Sequence, residues 1–96
     1  MKKFVLLYVG AAEPTKELME GWTKWFDVLG DRVVDSGNPF GPGREFTKTS
    51  TKDLPQDEHA IAGYTIINAE SLEEVEKLAK DCPVVTSVKI YEAMPM

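Results

Sequence analysis

Few side chains in this sequence are of a type that does acid-base chemistry near neutral pH. His59 is the only histidine, and its ordinary pKa lies close to neutrality. It follows two acidic residues in a polar stretch, where a solvated histidine is the usual state. Asp35 is the second candidate, because it stands directly before a glycine- and proline-rich stretch, and loops at strand ends often carry sites. We take His59 and Asp35 as candidate catalytic residues, with ordinary solvated side chains as the alternative.

The single cysteine and the two tryptophans are better explained by structure than by chemistry. Cys82 ends the second predicted helix, where the helix dipole opposes formation of a thiolate, so we expect a buried, unreactive thiol. Trp22 and Trp25 lie at helical spacing, which favours a place in the core or a dimer contact over a place in a pocket. One cysteine and one histidine cannot complete a Cys/His zinc site or an internal disulfide. We expect no metal, no cofactor and a reducing, cytoplasmic location.

The stretch Asp35 to Gly43, DSGNPFGPG, has the glycine content of a phosphate-binding loop but not its context. Such a loop leads into a helix N-terminus, whereas strand-like residues follow here. Two successive turns are the better interpretation, with glycines that include Gly43 at positive φ. The alternative is the rim of a ligand pocket, in which Arg44 would hold a carboxylate instead of forming a surface ion pair.

The elements that would position these residues follow from the hydrophobic pattern. Residues 3–9 are apolar at both parities, which is typical of a strand covered on both faces. One helix is predicted to begin at Pro14 and to end at Gly30, and a second begins with a capping box at Ser71. The other predicted strands are residues 31–36, 44–52 (at an edge or in a hairpin), 61–69 and 84–93, with 53–59 as a loop.

This order of elements predicts an α+β, ferredoxin-like βαββαβ fold with a four-stranded antiparallel sheet. Right-handed crossovers place both helices on one face of the sheet and leave the other face bare. Because residues 3–9 are apolar on both sides, the bare face needs a cover, and a second copy of the chain supplies the simplest one. We therefore expect a homodimer that buries on the order of 800 Å² per partner.

Length and charge narrow the class of protein further. The 96 residues suit a single domain, 1–96. A net charge of −5, with the basic residues scattered, argues against a nucleic-acid partner. No run of about 20 apolar residues is present, so we expect no membrane span. The apolar run near the start is short and contains Tyr8, which disfavours a cleaved signal peptide.

Several stretches carry a family pattern. They are residues 63–72, 78–83 and 88–92, with shorter pieces at 25–26, 29–30 and 35–39. In these stretches the chain resembles the YCII-related family, in the branch grouped with DGPF-domain proteins. The resemblance implies a ferredoxin-like fold and a dimer of the α/β-barrel type. The Asp-Gly-Pro-Phe motif is absent, with Asn38-Pro39-Phe40 as its nearest remnant, and no histidine lies near the start, so the resemblance carries over no catalytic residue.

The expected site is a cavity between the two sheets of the dimer, which would bind a small organic ligand, an anion being one option. The bare face should carry Lys89 and Tyr91, which alternate with the helix-facing Val88 and Ile90. The candidate ligand-binding residues are Tyr8, Asp35, Arg44, Tyr64 and Tyr91. Two other functions stay open. One is a cofactor-free enzyme that performs acid-base chemistry on a small organic acid; the other is a structural dimer module.

Overall fold

The predicted strands and helices form an α+β fold in the computed structural model, which describes residues Met1–Met96. The elements are β1 (Lys2–Val9), α1 (Lys16–Leu29), a 3-10 helix (Gly30–Arg32), β2 (Val33–Asp35), β3 (Gly43–Phe46), β4 (Thr51–Leu54), β5 (Ile61–Ala69), α2 (Leu72–Ala79) and β6 (Ser87–Glu92). Four strands make one antiparallel sheet in the order β2-β5-β1-β6, and β3 and β4 make a separate two-stranded sheet. This architecture is compatible with the ferredoxin-like prediction.

Both helices begin at a hydroxyl cap: α1 at Thr15, one residue after the predicted start at Pro14, and α2 at Ser71, as the capping box predicts. The hydroxyl of Thr15 accepts a hydrogen bond from the backbone N–H of Leu18 at 3.1 Å, and the hydroxyl of Ser71 accepts one from the N–H of Glu74 at 3.2 Å. Gly30 follows α1 with a φ of 54°, in the left-handed region that favours glycine. These local signals are confirmed because a cap depends only on residues three or four positions away.

The core lies between the helices and one face of the sheet. Alternate residues of β1, Phe4, Leu6 and Tyr8, are buried against the fully buried Trp25 and Leu29 of α1. The core also contains Ile67, Ala69, Val75 and Cys82. The expected buried position of Cys82 is therefore confirmed.

The opposite face of the sheet is only half-buried. Val5 pairs with Ile66, and Leu7 pairs with Tyr64 on one side and Lys89 on the other. These residues lie on the face of the sheet opposite to the face that carries Phe4, Leu6 and Tyr8. An apolar patch thus remains on what we call the open face, as the doubly apolar pattern of residues 3–9 predicts.

The boundaries differ from the predictions mainly after β2. The segment 44–52, predicted as one strand at an edge or in a hairpin, does lie in a hairpin, but it is not continuous: the chain turns at residues 47–50 between β3 and β4. This hairpin includes residues 53 and 54, which were expected in a loop. The last strand begins at Ser87 instead of residue 84, whereas Ile61–Ala69 forms as predicted. No helix in the structure is both long enough and apolar enough to cross a bilayer.

Candidate functional site

A cavity of about 450 Å³ lies beside the N-terminal half of α1. Its wall on the helix side consists of Leu18, Met19, Trp22 and Phe26. The remaining wall comes from the end of β1 and the residues after it (Tyr8, Val9, Gly10, Ala12, Pro14), the loop 36–39, the start of β5 (Ala62, Gly63, Tyr64), and Val84 and Val85. The cavity, which we call the α1 cavity, therefore lies on the helix side of the sheet and within one protomer.

The lining of the α1 cavity contains no charged side chain. Eleven of its eighteen residues are hydrophobic, and the rest are glycines, prolines, Ser36 and Asn38. An ionised ligand would lose its hydration there without gaining a counter-charge. The chemistry of the lining therefore favours an uncharged guest with a large apolar surface.

Under this cavity a chain of three hydrogen bonds joins α1 to the sheet. The indole Nε1 of Trp25 donates to the hydroxyl of Tyr8 at 3.0 Å, and that hydroxyl donates to Oγ1 of Thr65 at 2.6 Å. Thr65 in turn donates to the carbonyl oxygen of Ser36 at 3.0 Å. Each donor has an acceptor, so a buried polar chain connects the helix, both central strands and the loop that borders the cavity.

Two titratable groups of the core, Tyr8 at the cavity wall and Cys82, have raised pKa values. Burial raises the pKa of Tyr8, against a smaller lowering by its hydrogen bonds to Thr65 and Trp25. Burial also raises the pKa of Cys82 to about 12. A phenol and a thiol with raised pKa values are poor bases and nucleophiles at neutral pH. Neither Tyr8 nor Cys82 is therefore ready to accept a proton at neutral pH.

The loop that borders the cavity contains a glycine that no other residue can replace without strain. Gly37 has a φ of 77°, and a Cβ at this position would lie 1.7 Å from the carbonyl oxygen of Tyr64. Its N–H donates to Oδ1 of Asp35 at 2.8 Å, and Pro39 forms a bridge to Gly63. The turn prediction is thus right at Gly37.

The turn prediction is wrong at Gly43, because the only glycines with positive φ are Gly10, Gly30 and Gly37. Gly43 is the first residue of β3, and its extended backbone needs no left-handed conformation. Loop residues 36–39 also line the cavity, so the stretch is both a turn and part of a pocket wall.

Two of the five predicted ligand-binding residues meet on the open face. The Tyr64 hydroxyl donates to Oδ2 of Asp35 at 3.1 Å, and the ring of Phe40 stacks on that of Tyr64 with centroids 5.6 Å apart. Tyr91 pairs with Val5 on the same face and is 58% exposed. This group lies on the surface for which the sequence predicts a dimer contact.

Tyr8, predicted on the open face, instead lies on the helix side. It pairs with Val88, and Val88 packs against the core, so the two share the helix-facing parity. The error arose because a strand that is apolar at both parities has no alternation from which its inner face can be identified.

Arg44 and His59 do not line the α1 cavity, and neither contacts Asp35 or Tyr64 through a hydrogen bond or ion pair. Arg44 Nε lies 3.0 Å from Oδ1 of Asp53 in the hairpin, so its side chain forms the surface ion pair that was the alternative prediction. His59 is exposed, and its Nε2 lies 3.8 Å from Oε1 of Glu58. Solvated side chains, the other interpretation of the catalytic candidates, describe His59 best.

Sequence reasoning missed most of the α1 cavity. The helical spacing of Trp22, which is that of any amphipathic helix, predicts a core or contact residue, whereas Trp22 packs against the core and also lines the cavity. For Thr65 the sequence shows only a hydroxyl within the strand predicted at residues 61–69; the structure buries it fully, and such a residue needs a buried partner.

No protein-family model matches this chain, and a search of curated proteins found no match either. The resemblance to the YCII-related family therefore stays a prediction from the residues themselves.

Proposed function

We propose that the protein binds a small, uncharged, mainly apolar organic molecule in the α1 cavity. The observation that carries the proposal is the absence of any charged side chain from a lining of eighteen residues. The volume of about 450 Å³ lies within the range of about 300–1,000 Å³ that small-molecule sites have. Ser36 and Asn38 at the loop side supply hydrogen-bonding groups that would orient the guest.

The anionic ligand considered from sequence has less support. Its best cation, Arg44, is engaged with Asp53 on the hairpin and does not line the cavity. The cofactor-free enzyme is likewise less favoured, because burial raises the pKa of Tyr8 and Cys82, and the candidate base His59 is exposed and does not line the cavity. Binding without chemistry is the function that this arrangement supports best.

The proposal retains the homodimer, of the ferredoxin-like α/β-barrel type, formed through the open face. Val5, Leu7 and Ile66 form an apolar strip there, and they stay half-buried in a single copy. A second open face would cover this strip and enclose Asp35, Tyr64 and Tyr91 between the two sheets. The cytoplasmic location is retained with it as a prediction.

The ligand proposal is tested with two probes of similar size, neutral naphthol and anionic naphthoate, by calorimetry and thermal shift. We expect naphthol to bind and to raise the melting temperature, and naphthoate to bind at least about tenfold more weakly, because no cation meets its carboxylate. Equal or tighter binding of naphthoate would overturn the proposal.

Two variants locate the binding site. Met19→Asp places a carboxylate at the cavity wall, at a residue that is 62% exposed and therefore tolerant of the change. We expect it to weaken naphthol binding. Val28→Asp, on the same helix but away from the cavity, is the matched control and should bind as the unaltered chain does. The same loss in both variants would argue against the α1 cavity.

The dimer is tested by light scattering. Leu7→Lys introduces a charge into the apolar strip of the open face, and we expect a monomer at micromolar concentration. Val28→Lys is the control for the introduction of a lysine at a partly exposed valine. An unaltered chain that is already monomeric would refute the homodimer.

A further inference from the structure

The hairpin of β3 and β4, residues 43–54, is a projecting element that we call the arm. Its strands pair only with each other, and every residue from 38 to 59 is exposed. The radius of gyration of the chain is 14.3 Å, whereas a compact chain of this length has about 12.5 Å. Part of the protein therefore extends away from its core.

Despite this exposure, the arm is built as a defined structure. Arg44 pairs directly opposite Asp53, and Glu45 opposite Lys52, so the two central pairs of the hairpin join side chains of opposite charge. These cross-strand pairs fix the register of the two strands.

The tip of the arm is also specified by its own residues. The hydroxyl of Thr47 accepts hydrogen bonds from the N–H groups of Thr49 at 3.3 Å and Ser50 at 3.0 Å. The arm is thus a preformed hairpin and not an irregular loop. Such an element has a low entropic cost when it docks.

An isolated two-stranded hairpin is only marginally stable in water and gains stability by packing against another surface. The arm has an apolar side chain for such packing, because Phe46 is 81% exposed. An aromatic ring held in solvent on a preformed hairpin is typical of an interface anchor. The arm therefore has the properties of a binding element without a partner in the single chain.

We infer that the arm packs against a second copy of this chain. Residues 43–54 carry three basic and two acidic side chains, whereas the rest of the chain carries eight basic and fourteen acidic ones. An arm of net positive charge is attracted to the acidic body of another copy. No other partner is needed to supply this complementarity.

The position of the arm gives a second reason. Phe40, at its base, stacks on Tyr64 of the open face, so the arm leaves the body beside the surface proposed for dimerisation. One two-fold assembly would cover both the apolar strip and Phe46. This inference rests on the homodimer proposed above, and it adds the arm as a contact that reaches across to the partner.

The test is amine cross-linking of a mixture of heavy-isotope-labelled and unlabelled chains, in which a link between labels must join two copies. We expect mixed-label links from the arm lysines, Lys48 and Lys52, as well as from Lys3 and Lys89 of the sheet. Mixed-label links from Lys3 and Lys89 alone would overturn the arm inference and leave the dimer intact. A monomer with no mixed-label links would overturn both.

Variants give an independent measurement. Phe46→Ser should raise the dimer dissociation constant at least about tenfold, as expected for loss of an aromatic anchor. Val28→Ser, at a partly exposed residue of α1 outside both the arm and the sheet, is the control and should leave the constant unchanged. Circular dichroism checks that both variants fold. A Phe46→Ser dimer as tight as that of Val28→Ser would refute the inference.

Discussion

The hydroxyl of Tyr8 accepts a hydrogen bond from the indole N–H of Trp25 at 3.0 Å. This contact joins the central strand to α1 across the core, because Trp25 is fully buried and Tyr8 is 7% exposed. It also sets the direction of the next hydrogen bond: because the Tyr8 oxygen accepts from Trp25, the Tyr8 hydroxyl donates its own proton to Thr65. The polar chain under the α1 cavity thus has one direction, from the helix to the loop at Ser36.

Removal of the Tyr8 hydroxyl should be costly. Tyr8→Phe leaves the buried N–H of Trp25 without an acceptor, so we expect a loss of about 1–3 kcal/mol in the free energy of unfolding, measured with urea. Tyr64→Phe is the matched control: its hydroxyl bonds to Asp35 in an exposed position, and the change should stay within about 0.5 kcal/mol. Equal effects of the two substitutions would contradict the structural role assigned to Tyr8.

Thr65 should act as a unit with Tyr8. Thr65→Val keeps the shape of the side chain but leaves the Tyr8 hydroxyl and the Ser36 carbonyl without their partner, so it should also destabilise the fold by about 1–3 kcal/mol. In the double variant Tyr8→Phe, Thr65→Val the loss should be smaller than the total of the two single losses, because the first change already breaks the shared bond. Simple additivity in a double-mutant cycle would rule out a connected chain.

Gly37 and Gly43 should respond differently to the same substitution. Gly37→Ala forces a Cβ onto the carbonyl oxygen of Tyr64 at a φ of 77°, and we expect a loss of about 2 kcal/mol or more together with weaker naphthol binding. Gly43→Ala meets only the side chain of Leu54 at 3.5 Å and should change stability by less than about 0.5 kcal/mol. Thermal and urea unfolding measure both, and a tolerant Gly37 would show that the loop has another conformation.

Cys82 should be unreactive in the folded protein. Its pKa is raised to about 12 by burial, so the thiolate that reacts with a disulfide reagent is scarce, and we expect the reaction in mildly alkaline buffer to be at least about 100-fold slower than in urea. A native rate near the unfolded rate would contradict its burial.

The same pKa shift predicts how stability depends on pH. Because the folded pKa lies above the ordinary value of 9.0, the neutral thiol is favoured in the fold. Its contribution to stability is complete below that ordinary value and is lost as pH rises through the folded pKa. Cys82→Ala should remove this part of the alkaline destabilisation, which pH-dependent urea titrations measure, whereas the part due to Tyr8 should remain.

The local elements were largely predictable from the sequence. The caps at Thr15 and Ser71, the glycine after α1 and the strand Ile61–Ala69 each depend on neighbouring residues, and each lies within one residue of where the pattern places it. A hairpin was one of the two interpretations of residues 44–52, but the turn within this segment was not predicted, because threonines and lysines at residues 47–52 suit one strand as well as a turn between two.

What the sequence determined by itself was therefore the set of elements, the α+β class, and a central strand that needs apolar partners on both sides. The tertiary structure alone decided the face to which each residue of β1 belongs, because α1 packs on Phe4, Leu6 and Tyr8 and leaves Val5 and Leu7 half-buried. It also decided the α1 cavity, whose walls come from residues as distant in sequence as Tyr8 and Val85. The physical reason is that caps and periodicity act within a few residues, whereas a cavity exists only after distant segments have packed and left a space between them.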